Sequence, residues 1–231
     1  YLNARLLDPA SGLDTHGALL IEDGKIVDLG TDLFKDGAPS VSKVVDCEGL
    51  CLAPGLIDSR VQLREPGEEH KETIETASRA AAGGGVTTMV ALPNTTPVID
   101  DVSVVEFMHR HAKEAGAVKV RCYGSVTRGT KGEQLTEMGL LAEAGAVAFT
   151  DGTRAVANTM VMRRALSYAR GFDLTIAQHP EDPQLANGGV MNEGEIASRL
   201  GLGGIPAEAE IIMVERDLRL AELTGGRYHA A

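Results

Sequence analysis

From Leu52 onward the sequence settles into one rhythm: a short apolar run, a loop, then an amphipathic stretch, repeated. Leu56–Leu63 reads as a strand and Lys71–Ala82 as a helix rich in Ala, Glu and Thr. Gly83-Gly84-Gly85 then breaks the chain before a strand over Val86–Leu92. The pattern continues through a helix at Val102–Ala115, a strand at Val118–Ser125 and a helix at Glu133–Ala144. A strand at Ala146–Thr150, a helix at Thr159–Arg170, a strand at Leu174–Gln178 and a helix at Ala207–Leu223 follow. Alternation at this spacing implies a parallel sheet covered by helices, because parallel neighbours need a crossover and the helix supplies it. Five strands are present and a sixth begins at Arg227. Periodicity leaves two architectures open, a (β/α)8 barrel and an open doubly wound sheet. The glycine run precedes a strand instead of following one, which argues against a dinucleotide-binding fingerprint. A full eight-stranded barrel takes about 250 residues, so a barrel here is expected to continue past the present chain.

Residues 1–50 differ in kind. Ala18-Leu19-Leu20-Ile21 and Ile26-Val27-Asp28-Leu29-Gly30 flank Glu22-Asp23-Gly24-Lys25, a strong hairpin signal. A second turn-rich piece, residues 36–40, precedes Lys43-Val44-Val45-Asp46. The expected division is therefore a small β module at 1–50 and an α/β unit at 51–231.

Composition closes off several functions. A formal net charge of −11 is wrong for a protein gripping a phosphate backbone, so no nucleic-acid partner is expected. No apolar run approaches the ~20 residues needed to span a bilayer, so no membrane role is expected. Tyr1–Arg5 lacks the pattern of a signal peptide, and the missing initiator Met implies that residues precede it. Cys47, Cys51 and Cys122 are too few and too scattered for a disulfide framework, which points to a reducing, cytoplasmic setting. Cys47 is expected in a turn and Cys51 in a strand, both as structural residues.

In a (β/α) barrel, functional side chains project from the C-terminal ends of the strands. Those positions are Arg60, Gln62 and Arg64 after the first strand, Asn94 after the second, Thr150-Asp151-Gly152 after the fourth and His179 after the fifth. His229 lies near the start of the sixth. His70, His109 and His111 fall on or before helices and are expected at the surface or in packing. Read singly, Arg64 suits an ion pair with Glu65 or Glu68 as well as an anion anchor. Asn94 suits a loop cap as well as a ligand contact.

Six stretches, in order, resemble the dihydroorotase family of the amidohydrolase superfamily. Pro54–Gly67 is similar to Pro-Gly-Leu-Ile-Asp-x-His-x-His-Leu-Arg-Glu-Pro-Gly, and Gly83–Thr88 to the approach to the second strand. Leu92–Pro97 resembles Met-Pro-Asn-Thr-x-Pro, and Ala148–Asp151 resembles Ala-Phe-Ser-Asp-Asp-Gly. His179–Asp182 resembles His-Ala-Glu-Asp, and Gly204–Glu210 resembles Gly-x-Pro-x-x-Ala-Glu. The resemblance implies a metal-dependent-hydrolase TIM barrel with a small β-sandwich built from both termini. Residues 1–50 would be the first part of that sandwich, and the C-terminal part of the barrel lies outside the chain. It implies pyrimidine biosynthesis, zinc, and reversible interconversion of dihydroorotate and carbamoyl aspartate, with Arg64 and Asn94 binding substrate. The catalytic Asp of the family falls beyond the chain.

The departures are as informative as the matches. Arg60 and Gln62 stand at the two His-x-His ligand positions, and Gly152 stands where the family has a second Asp. Arg has no lone pair to give and repels a cation; a Gln amide oxygen is a weak zinc ligand. His179 and Asp151 remain as metal-ligand candidates, with the register at Asp151 open. The expectation is a dihydroorotase-like protein with zinc absent or weakly held, catalytically inactive and structural. The resemblance implies assembly with aspartate transcarbamoylase, in a homo- or hetero-oligomer. An active hydrolase with an altered metal site and a binding protein for dihydroorotate or carbamoyl aspartate remain the alternatives.

Overall fold

The computed structural model describes residues 1–37, 39–40 and 43–231. The chain divides into two compact units, Tyr1–Leu56 and Ile57–Ala231.

The first unit is a four-stranded sheet in the order β3-β2-β1-β4, formed by β1 (Ala4–Asp8), β2 (Leu13–Glu22), β3 (Lys25–Gly30) and β4 (Cys51–Leu52). β1 and β2 pair antiparallel, as do β2 and β3, and β4 joins β1 in parallel. The expected hairpin forms at Asp23-Gly24, where both residues take positive φ (49° and 73°). Gly reaches that region without steric penalty and Asp tolerates it. Ala4, Leu6 and Leu19 make a small core with Leu13, Cys47 and Leu52 against it. Cys51 lies in β4, and the Cys47 carbonyl accepts from the Leu50 amide in a turn. The strand expected near Val44–Asp46 is reduced to a bridge between Asp46 and Leu2. The expected turn at 36–40 contains Ala38, which lies outside the described residues.

In the second unit, β5 (Leu56–Val61), β6 (Val86–Ala91) and β7 (Lys119–Cys122) form one sheet in that order. β8 (Thr175–Gln178) pairs in parallel with β11 (Arg227–Ala230). Phe149 links the two sheets through parallel bridges to Gly124 and to Ile176. The strand positions therefore follow one another in sequence order, without the reversal that marks a doubly wound sheet. The result is an arc of barrel type; among the described residues no pairing joins β11 back to β5.

Helices α1 (Ile74–Gly83), α2 (Val102–Ala115), α3 (Met138–Glu143), α4 (Thr159–Arg170) and α6 (Glu208–Thr224) connect the strands. A Thr73–Thr76 capping box starts α1, Asp101 caps α2, and Asn158 caps α4. The core runs along their inner faces, with Met108, Phe149, Met162, Leu166 and Ile176 almost wholly buried. Each such side chain contributes about 1.5–3 kcal/mol of transfer free energy. No helix among the described residues is long and apolar enough to cross a membrane.

Three expectations change in detail. The helix expected at 133–144 begins only at Met138. The Thr136 hydroxyl donates to the Ser125 carbonyl at 2.6 Å and Leu135 bridges to Thr127, so residues 134–136 fold back on the loop after β7. The strand expected at 146–150 narrows to the ladder around Phe149, although its backbone bonds on both sides. Between β8 and α6 the chain inserts the parallel pair β9 (Met191–Asn192) and β10 (Gly204–Ile205) around α5 (Glu195–Leu200). The sequence reading did not foresee that insertion.

Candidate functional site

Side chains two apart on a strand share a face, so Arg60 and Gln62 both leave the end of β5 on one side. Both are exposed. Beyond them the chain turns sharply, and the turn is pinned from several directions. The Glu68 amide donates to the Arg64 carbonyl at 2.7 Å, and the Thr96 amide donates to the Pro66 carbonyl at 3.0 Å. The second bond ties this turn to the loop after β6. Gly67 has φ +107°, and a Cβ there would land on the carbonyl oxygen of Thr96.

Glu65 holds the turn from below. It is buried; one carboxylate oxygen accepts from the Ile74 amide at 2.8 Å and the other lies 2.6 Å from His111 Nδ1. The His111 ring stacks on Phe107 at 3.9 Å. His111 is therefore a packing residue, as its helical position suggested, and it also partners Glu65. Arg64 faces the other way, donating from Nη1 to Glu68 Oε2 at 3.0 Å. Lys71 engages the second oxygen of Glu68. These contacts lower the pKa of Glu68 from its ordinary value, Lys71 being the larger cause.

Asn94 is half-buried, and its Oδ1 is shielded from solvent with no hydrogen-bond partner. Gly152 lies against it: with φ +73°, a Cβ at 152 would stand 3.2 Å from that oxygen. A carboxylate at 152 would set acceptor against acceptor in a space that glycine leaves for the amide. Asp151 is 3% exposed and turned toward a neighbouring loop. Its Oδ1 accepts from the Thr127 amide at 2.9 Å and its Oδ2 from the Thr127 hydroxyl. Burial raises this carboxyl above its ordinary value, and the Thr127 bonds oppose the rise. His179 is half-buried, and its Nδ1 has no partner.

Behind His179 lies a network absent from the sequence reading. Gln178 donates to Asp217 at 2.8 Å and accepts from the Val156 amide at 2.9 Å. Asp217 is wholly buried and also accepts from Arg216 Nε and Nη2 at 2.9 and 2.7 Å. A signal was available: Ala209, Met213, Asp217, Leu220 and Thr224 make the buried stripe of α6, and an acid on such a stripe needs partners.

At the C-terminal ends of the strands is a cavity whose lining includes Ser59, Arg60, Tyr123, Thr150, His229 and the chain's last residue, Ala231. The Tyr123 hydroxyl donates to the Ser59 carbonyl at 2.9 Å, and burial raises its pKa. Arg60 and His229 thus meet at one cavity, whereas Arg64 and Asp151 are committed to other partners. Residues 49–231 match the family model described as dihydro-orotase-like. The chain belongs to that family.

Its dihydroorotase relatives include the protein of Wolbachia sp. subsp. Brugia malayi, 49% identical over 99% of this chain and 52% of that one. The dihydroorotase of Ehrlichia canis is 48% identical over 99% of this chain and 51% of its own. The chain spans about half the length of these curated relatives. Among solved structures, a D-hydantoinase from Bacillus sp. AR9 superposes with a TM-score of 0.74 at 17% identity. It covers 99% of this chain and 50% of that one, a likeness of fold.

The dihydroorotase-like family implies a metal, and the donors of this chain do not fit one. Arg60 is a permanent cation, Gln62 a weak neutral donor, and Gly152 carries no side chain. Both oxygens of Asp151 are engaged by Thr127. Among the described residues no three His, Cys, Asp or Glu side chains gather as a metal-binding group.

Proposed function

We propose that the protein containing this chain is a dihydroorotase-like member of pyrimidine biosynthesis that has given up metal-assisted amide hydrolysis. Opening a cyclic amide near neutral pH requires an activated water and a polarised carbonyl, both of which a divalent ion supplies. The observation that carries the reading is the pair Arg60 and Gln62 on the shared face of β5, where the family pattern has histidines. What remains is a stable α/β frame, and the role it suits is structural: assembly with aspartate transcarbamoylase in the cytoplasm.

Metal analysis and a dihydroorotase assay on the full-length protein test this. Substoichiometric metal, absent turnover and co-sedimentation with aspartate transcarbamoylase are the expected results. One tightly bound divalent ion with robust turnover would overturn the reading.

A second reading is favoured by the unpartnered Nδ1 of His179, a free imidazole donor beside the strand ends. It is an active hydrolase with a rearranged site, and it requires that His179→Ala abolish turnover in the full-length protein.

A further inference from the structure

We propose that the excursion between β8 and α6 carries a two-fold interface through which the protein pairs with a second copy of itself. The inference does not depend on whether the family's chemistry survives. The excursion is folded in its own right. At its root the Asp182 amide donates to the Ala209 carbonyl at 2.8 Å, and the Asp182 carboxylate accepts from the Gln184 and Leu185 amides. β9 and β10 then pair in parallel with α5 between them, and the Leu202 amide returns to the Ala197 carbonyl at 3.0 Å.

α5 turns its small side chain inward and its large ones outward. Ala197 is buried, while Ile196 and Leu200, one turn apart, are 64% and 62% exposed. Val190 is 69% exposed, and its amide donates to the Gly203 carbonyl, next to the exposed Leu202. Single apolar residues are ordinary on any surface. Here four fall on one short excursion, and aliphatic groups held out on a hydrogen-bonded frame mark an interaction site. Residues 183–206 are comparable to the ~20–30 residues a side of a standard interface.

The charges beside the apolar row name the occupant. Glu195 and Arg199 stand one turn apart on the neighbouring row of α5, and both are exposed. Among the described residues they form no ion pair, whereas the same spacing in α1 closes Arg79 onto Glu75 at 2.6 Å. When two copies of α5 lie antiparallel about a two-fold axis, Ile196 of each packs toward Leu200 of the other. Glu195 of each then faces Arg199 of the other, because the axis reverses the helix but keeps the row on the same side. A row of one sign would repel its own copy in that arrangement; this one attracts it. An isologous contact requires such self-complementarity.

The test is sedimentation of the full-length protein over a concentration series, with a charge exchange as its decisive arm. A concentration-dependent dimer is expected. Ile196→Asp combined with Leu200→Asp should weaken it about a hundredfold or more. Circular dichroism and the thermal midpoint should stay unchanged in that variant, because both positions are exposed in the folded chain. Glu195→Arg alone and Arg199→Glu alone should each weaken the dimer about tenfold. Mixing those two variants, or combining both changes in one chain, should restore it. A monomeric parent, a dimer that survives both aspartates, or a charge exchange without restoration would overturn the proposal. A lowered thermal midpoint in the aspartate variant would also overturn it, by showing that another segment of the same protein covers α5. Loss of co-sedimentation with aspartate transcarbamoylase in that variant, while the self-dimer persists, would assign the face to that partner instead. Metal content and turnover are untouched by any of these outcomes, so the proposed function stands or falls separately.

Discussion

Asp151 separates a loop anchor from a metal ligand, and its surroundings set the size of the effect. Replacing it with alanine removes the acceptor for two donors of Thr127, a residue with no exposed surface. An orphaned buried donor costs about 1–3 kcal/mol. The Thr127 hydroxyl keeps one bond, since it accepts from the Gly132 amide at 2.8 Å, so its loss falls at the lower end of that range. Relief from holding a buried carboxylate offsets part of the remainder. The net expectation for Asp151→Ala is a loss of about 1–3 kcal/mol, a large share of the roughly 5–15 kcal/mol of a typical domain. Urea unfolding in the presence of a chelator reads this as a midpoint lowered on the order of 1 M. Asp151→Asn retains one acceptor oxygen for the Thr127 amide and should lose less. A metal ligand predicts the reverse pattern: little loss without metal, and zinc-dependent stabilisation of the parent that disappears in the variant. Observing that pattern would refute the assignment of Asp151 to the loop.

Other sites give sharp outcomes by the same logic. Asp217→Ala leaves Arg216 and Gln178 without their buried acceptor and should cost about 3–5 kcal/mol in urea unfolding. Gly67→Ala meets both a positive φ and the Thr96 carbonyl, so a drop of several degrees in thermal midpoint is expected, about 1–3 kcal/mol for the backbone strain alone. Glu65→Gln keeps an acceptor for the Ile74 amide but breaks the charge match with His111. Losing the carboxylate partner of His111 Nδ1 should lower the thermal midpoint by an amount equivalent to about 1 kcal/mol, as thermal melts would show. Burial raises both Asp151 and Asp217 above their unfolded value, so the folded state holds protons that the unfolded state has released. Their contribution is present at pH below the ordinary carboxylate value and lost as pH rises through the raised folded values. The stability difference between the parent and Asp151→Asn, measured across that window, should therefore shift in favour of the variant as pH rises.

Much of the frame was legible because backbone patterns are local. The alternation of apolar runs with helical stretches located β5 to β8 and α1, α2, α4 and α6, and Asp23-Gly24 located the hairpin. What local pattern could not supply was the use of polar side chains across long separations. Asp151 to Thr127, Glu65 to His111 and Gln178 to Asp217 each join segments at least 24 residues apart. The helix expected at 133–144 begins late, at Met138, for the same reason. Its apolar spacing suited a helix, but the hydroxyl of Thr136 found a carbonyl on the loop after β7 and the chain folded back to reach it.

The site divides along that same line. The loss of donor chemistry at Arg60, Gln62 and Gly152 could be read from residue types, because it depends on what an atom can offer. The fate of Arg64 could not, because a guanidinium serves an ion pair or a ligand equally well until its neighbour is known. The fold shows Glu68 in that place, and it shows why the ligand positions on β5 could change without cost to the frame. Arg60 and Gln62 lie at a strand end, outside the buried clusters of the described residues, and β5 pairs with β6 through backbone bonds that no side-chain exchange touches. Gly152 differs from them. Its positive φ and its closeness to Asn94 couple the missing carboxylate to the seat of that amide. Restoring histidines at 60 and 62 would therefore rebuild only the β5 half of a metal centre. An acid at 152 would have to displace Asn94 before it could reach a metal.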